Sequence, residues 1–400
     1  MSTIPDQRIK LPALVGGPPR IWDVPLQAAE RLYRITGNTG NLAFRYALFK
    51  HLGRDARVFS WNDDAVQLNS VSTVAVFPCA NQIGAHQDCE SRASFTKQLD
   101  IPVLAIGLGA QAKNQEAVPD VPKGTLKWLK EIQERRAGAS ANITVRGEYT
   151  RRVLESLGFK DGVEVLGCPS LFINESLSLG KSIANKLDSP PVRIGIAAGN
   201  PSRPVSSSLE AKLITLALRS GGSYVVQHPL PFVQVARREF EGVSDEWLKK
   251  IFLFINSDIN CEIPKSRHEL ISKLSSRSGK LSHAHSFFDI ETWMEHLKMH
   301  DFVIGLRIHG VMLAIQAGTP AVCITHDSRT EELCQTMCIP YVKAQELEEK
   351  GVILEDLYDI VRNSATSFDS NRKLIASKYI RILSSAGITP AKYLLSLANS

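Results

Sequence analysis

The run FVIGLRIHGVMLAIQAGTPAVCIT, residues 302–325, holds two short apolar β-type stretches, 302–304 and 321–325. Between them lies a helical stretch, 308–317, that stops at Gly318-Thr319-Pro320. Strand, turn, helix and strand in that order form a βαβ unit, and a crossover of this kind joins parallel strands. The same alternation extends outward in both directions. Upstream, candidate strands fall at 57–59, 73–77, 102–106, 143–145 and 163–166, with helices at 124–136 and 148–157. The pattern lapses over NESLSLGKSIANKLDSPP, residues 174–191, a polar segment ending in two prolines that reads as a linker. It resumes with strands at 192–197 and 223–226 and helices at 206–219 and 289–298, and after about Glu346 only helical periodicity remains. The expected class is α/β with two mainly parallel sheets. The expected division is an N-terminal domain over 1–180, a C-terminal domain over 190–345 and a helical tail over 346–400. The polar stretch 266–285 reads as a surface excursion of the second domain.

The 400 residues carry 47 Lys and Arg against 41 Asp and Glu, a balance of +6 that is too modest and scattered for a nucleic-acid surface and suits small anionic substrates better. Seven cysteines, odd in number and set in apolar runs such as Val322-Cys323-Ile324, predict free thiols and a reducing compartment. The opening MSTIPDQRIK has no basic-then-apolar signal pattern, and no apolar run reaches about 18 residues, so a cytoplasmic chain with at most peripheral membrane association is expected. His283 and His285 have no Cys or carboxylate at zinc-like spacing, which disfavours a metal. Trp22, Trp61 and Trp293 fit a core or a sugar-stacking platform equally and are assigned to neither.

In open parallel sheets ligands bind beyond the carboxyl ends of the strands. The residues at those positions here are Arg146, Gln227 and His228, Arg307 and His309, and His326-Asp327-Ser328-Arg329. Guanidinium groups grip carboxylate or phosphate, and imidazole exchanges protons near neutrality, so one rim suits acid–base chemistry on a small anion. Two glycine clusters adjoin it. Gly37, Asn38, Gly40 and Asn41 open a helix and present either free amides to an anion or only a capped tight turn. Gly109 and Gln111 follow a strand, where a glycine admits either a ligand or a packed helix. Every polar residue named also has a purely structural reading, as a surface ion pair or a satisfied buried group.

Residues 303–340, VIGLRIHGVMLAIQAGTPAVCITHDSRTEELCQTMCIP, resemble the C-terminal signature of polysaccharide pyruvyltransferases: strand, R-x-H turn, helix, Gly-x-Pro, strand and polar loop. GNTGNLAFRYAL, IGLGAQ, TVRGEYTRRVLESLG and VLGCPSLF resemble further family segments in the same order, so the resemblance spans most of 35–345. One departure is Gly40-Asn41 where the family often has Gly-Asp. The resemblance implies two facing Rossmann-like domains with a cleft between them, similar to GT-B glycosyltransferases. It also implies phosphoenolpyruvate as donor, a sugar acceptor that is lipid- or nucleotide-linked or neither, and no nucleotide cofactor. By motif, Arg307 and His309 become donor-binding and catalytic residues, with Arg146 a second anion grip. His326 and Asp327 are then candidates to orient or deprotonate the acceptor, and His228 to line the site. Two alternatives remain open: a GT-B glycosyltransferase using Glu331 or Glu332 to hold a nucleotide ribose, and a non-catalytic binder of sugars or anions.

Overall fold

The computed structural model describes residues 10–112, 115–138, 140–202 and 207–400; the first residues of the sequence and the expected helix start at Ser206 lie outside them. Among the described residues twelve strands form two all-parallel sheets. The first holds β1 (Leu11–Val15), β2 (Arg57–Phe59), β3 (Ser72–Pro78), β4 (Val103–Leu108), β5 (Ile143–Val145) and β6 (Val163–Val165) in the order 2-1-3-4-5-6. The second holds β7 (Ile194–Ala197), β8 (Ser223–Val225), β9 (Ala284–His285), β10 (Phe302–Gly305), β11 (Ala321–Thr325) and β12 (Tyr341–Lys343) in the order 12-11-10-7-8-9. The second order is the doubly wound dinucleotide-fold pattern and the first its flavodoxin-like variant. Central strands such as β4 and β10 are buried at every position, which is why they read as unbroken apolar runs. The two sheets are thus the two Rossmann-like lobes expected, and each has a topological switch point, between β1 and β3 and between β7 and β10.

Three strands escaped the sequence reading. In β1, Pro12 interrupts an otherwise apolar run and cannot donate to a ladder, and the pairing with β3 shifts register between Leu11 and Ala13. β12 is only three residues long and follows Pro340 directly. The expected excursion over 266–285 is instead built structure. Ser266 caps the helix Arg267–Ser275, and β9 pairs with β8 at the edge of the second sheet.

Beyond β12 the chain is helical and packs back on the lobes. The helix Leu354–Ser385 has apolar residues at spacings of three and four, including Leu357, Val361, Phe368, Ile375, Tyr379 and Ile382, and these are buried along one face. It packs on the helix Leu179–Asn185 within the expected linker and returns to the first lobe. There Lys378 pairs with Glu164 of β6 at 2.7 Å, and Tyr379 meets His51 at 3.0 Å. Arg372, fully buried, donates to the carbonyls of Leu171, Asn174 and Ser176. No described helix is long and apolar enough to cross a membrane.

Removing the Arg372 guanidinium leaves three carbonyls without their donor. Arg372→Met should therefore lower unfolding stability by about 3 kcal/mol, read as a shift in the urea midpoint. An unchanged midpoint would mean that the strap contributes nothing to holding the helix.

Candidate active site

The switch point of the second sheet builds one wall. β10 ends at Gly305, and the chain turns into the helix Ile308–Gln316 with Arg307 at its N-cap, where the side chain is free to leave the helix. Arg307 Nε donates to the Gly199 carbonyl, 3.2 Å away on the loop after β7. The Gly199 amide in turn donates to Glu210, which also accepts from the Tyr224 hydroxyl. Burial raises the Glu210 carboxyl to about 6, against the pull of those donors and of Arg307. Glu210 was not among the expected site residues. Its signal was an acid set among Leu209, Ala211, Leu213 and Ile214, all of which are buried.

The opposite wall comes from the first sheet. Arg146 follows β5 and is only 4% exposed; its Nε donates to the Gly107 carbonyl at 3.1 Å and its Nη1 to Asn81 Oδ1 at 2.6 Å. Gly109 makes that placement possible, because a Cβ there would stand 2.7 Å from Arg146 Cδ. Neither Arg146 nor Arg307 is ion-paired with a carboxylate among the described residues. Between them His309 is buried, with its ring centroid 5.5 Å from that of Phe44 and Nε2 3.7 Å from Cys168 Sγ. Burial first, then the positive charges of Arg146 and Arg307, push the imidazole down to about 3. It is therefore neutral at ordinary pH.

Most amides of the first glycine cluster are engaged, that of Asn38 excepted. Thr39 donates to the Gln227 carbonyl, Gly40 to Asn38 Oδ1, Asn41 to the Asn38 carbonyl and Leu42 to the Thr39 carbonyl. Gly37 turns the chain at φ 67°, and Asn41 Nδ2 reaches back to the Thr36 carbonyl at 3.3 Å. The cluster instead brings the lobes together. A Cβ on Gly40 would lie 2.5 Å from Gln227 Oε1 and 3.2 Å from His309 Cβ. At this junction Gln227 Nε2 and Thr39 Oγ1 are buried with no hydrogen-bond partner among the described residues. His228 stacks on Tyr33 at 5.9 Å and bonds its hydroxyl, and the Tyr33 hydroxyl is raised to about 12 by burial against the charge of Arg307.

The loop after β11 reaches across the cleft. Arg329 Nη1 donates to Gln111 Oε1 at 2.9 Å, and the same guanidinium is paired with Asp327. Asp327 caps the helix Ser328–Met337 through Thr330, and Arg329 helps hold its carboxyl at about 2 against desolvation. A carboxylate so weakly basic and so fully bonded orients its loop; it does not take protons readily. His326 lies 3.9 Å from that carboxylate, and burial lowers its imidazole below the usual range. Glu332 is only 3% exposed and accepts from both the amide and the hydroxyl of Thr150, at 2.6 and 3.0 Å. Glu331 pairs with Lys343 at 3.1 Å. Both acids proposed as a ribose grip are thus engaged elsewhere.

Two guanidinium groups without carboxylate partners, a neutral imidazole between them and two orphaned polar groups beside it can receive an anion and pass protons to or from it. The same burial couples the site to stability. A histidine that titrates near 6.5 unfolded and about 3 folded contributes stability above pH 6.5 that is lost as pH falls toward 3. The slope is about 1.4 kcal/mol per pH unit for each such group. His309→Gln should flatten the acid limb of stability against pH in urea titrations; an unchanged limb would show that His309 ionises freely in the native protein.

Comparison with known proteins adds the following. No curated protein matches the chain. Among solved structures, a UDP-N-acetylglucosamine 2-epimerase is 7% identical, covering 93% of this chain and 95% of its own, at TM-score 0.40. The UDP-GlcNAc 2-epimerase of Neisseria meningitidis is 10% identical, covering 93% and 100%, at 0.39. A wall teichoic acid polymerase is 11% identical, covering 94% and 90%, at 0.38. The family match is of a different kind, since it spans residues 38–328, from the glycine turn through the R-x-H helix to the loop after β11. With nearly three quarters of its length matched in one continuous span, the chain belongs to the polysaccharide pyruvyl transferase family.

Proposed function

We propose that the protein transfers the pyruvyl group of phosphoenolpyruvate to two hydroxyls of a sugar as a ketal, releasing phosphate, in the synthesis of a cell-surface or exported glycan. The observation that supports this most is a pair of guanidinium groups without carboxylate partners, Arg146 buried and Arg307 half-buried, whose charges both act on the buried His309. A small dianion or trianion supplies the missing negative charge, and phosphoenolpyruvate carries a carboxylate and a phosphate for the two forks. Family membership supports the same class of reaction.

In this reading the methylene carbon of the donor takes a proton and becomes the methyl group, and the adjacent carbon becomes electrophilic. One sugar oxygen bonds to that carbon as its proton leaves. The C–O bond to phosphate then breaks, and a second sugar oxygen closes the ketal. Two hydroxyl protons are released in all: one balances the proton that made the methyl group, and the other leaves with phosphate. His309 is the proton carrier, and the guanidinium groups of Arg146 and Arg307 stabilise charge that grows on the departing phosphate. The imidazole of the free protein is neutral mainly through burial, and a bound anion opposes the smaller part due to the two arginine charges. The nucleotide-sugar reading is weakened by the engagement of Glu331 with Lys343 and of Glu332 with Thr150.

Phosphoenolpyruvate should raise the melting temperature in proportion to the logarithm of its concentration. Arg307→Ala should lose most of that binding, with Arg307→Lys recovering little because an ammonium lacks the planar fork. His309→Gln should retain binding while turnover, followed by phosphate release, falls by about two to four orders of magnitude. Stabilisation by nucleotide sugars and none by phosphoenolpyruvate would replace this reading with the glycosyltransferase one.

A further inference from the structure

Next to the arginine-lined site lies a cavity of about 460 Å³ at the carboxyl ends of β11 and β12. Gln115 and Glu116 form its wall on the first lobe; His326, Ser328, Glu331 and Glu348 are among those on the second. Gln115 spans the lobes by donating to the Ser328 carbonyl at 3.2 Å. The polarity of this cavity is opposite to that of its neighbour. Three glutamates face it, and its lysine, Lys343, is paired with one of them at 3.1 Å. The Asp327–Arg329 pair lies between the two regions, with Arg329 turned to Gln111 and Asp327 lining the cavity.

One atom of the lining stands out. Ser328 is 6% exposed and its Oγ has no hydrogen-bond partner among the described residues, while the half-buried His326 imidazole lies beside it on the same wall. Unpartnered buried polar groups are costly unless something supplies the missing bond. Carboxylates accept hydrogen bonds from adjacent hydroxyls, a hydroxyl and an imidazole complete such a network, and clustered carboxylates repel phosphate. Among the described residues no Phe, Tyr or Trp lines the cavity, so the grip is by hydrogen bonds. The volume falls within the range of small-molecule sites, about 300–1,000 Å³.

We propose that this cavity holds the acceptor sugar and selects a ring that is neutral or carries an amine, excluding one that bears phosphate or carboxylate. The assignment rests on the pyruvyl-transfer reading and adds the location and charge class of the acceptor. His326, on the wall nearest Arg307 and Arg329, is then the group beside the hydroxyls that attack.

The test uses the full chain and a defined panel: methyl galactoside, methyl mannoside and glucosamine against glucuronate and glucose 6-phosphate, with binding followed by ligand-observed NMR. Members of the neutral and amino set should bind at least about tenfold more tightly than the anionic set. Glu348→Arg, at an exposed lining position, should narrow or invert that preference, and Gln345→Trp, also exposed, should abolish sugar binding by filling the space. Both variants should keep the thermal stabilisation by phosphoenolpyruvate, which also shows that they are folded. Preference for anionic sugars, sugar binding indifferent to both substitutions, or no binding by any panel member overturns the proposal. Loss of the phosphoenolpyruvate effect in the unaltered protein, with pocket-dependent sugar binding intact, overturns the donor reading and leaves the cavity as a sugar site.

Discussion

Positive charge taken out of water and left without a carboxylate is the condition on which the cleft depends. Moving a guanidinium from water into protein costs several kcal/mol even after relaxation, and a direct ion pair is the usual remedy. Here Arg146 and Arg307 have carbonyl and amide oxygens instead, from Gly107, Asn81 and Gly199. Such partners fix orientation without cancelling charge, so the field between the two lobes stays positive. His309 registers that field directly, and Glu210, behind Gly199, moderates it without touching the ligand space.

A charged cleft of this kind tends to open by self-repulsion, and the contacts across it hold it at working width. Glu332 draws the helix after Arg146 toward the second lobe through Thr150, Gln111 meets Arg329, and Gly40 admits Gln227 and His309 at close range. The latches occupy both ends of the arginine region. Positions that look like binding residues thus divide into two groups: those facing the ligand space, and those setting the distance between its walls. Asp327 touches both groups, lining the acceptor cavity while it holds Arg329, which bridges to Gln111.

Much of this was legible in the sequence because strands buried on both faces print as short apolar runs and the residue after each run is placed by the fold alone. Arg146, Arg307 and His309 were found that way, and the structure brings them together. The first glycine cluster was ambiguous for a physical reason, since free and satisfied amides share one sequence signature. β1 was hidden by Pro12, and β9 and β12 by having two and three residues, too short for any periodicity. Glu210, and the bond by which Glu332 joins the lobes, were hidden because an acid in a helix reads as a surface residue unless its neighbours' burial is known. The pairing of Arg372 with carbonyls about two hundred positions away has no local signature at all.

That last separation has a consequence in time. A ribosome adds about 5–20 residues per second, so the carbonyls of Leu171, Asn174 and Ser176 emerge roughly 10 to 40 s before the arginine that will bond them. Through that interval the first sheet is complete in strands but uncovered along the seam that Tyr379 and its helix later close over His51 and Phe172. Nascent chains halted before about residue 372 would expose this apolar seam and become clients of chaperones, whereas full-length chains released into the same extract would not.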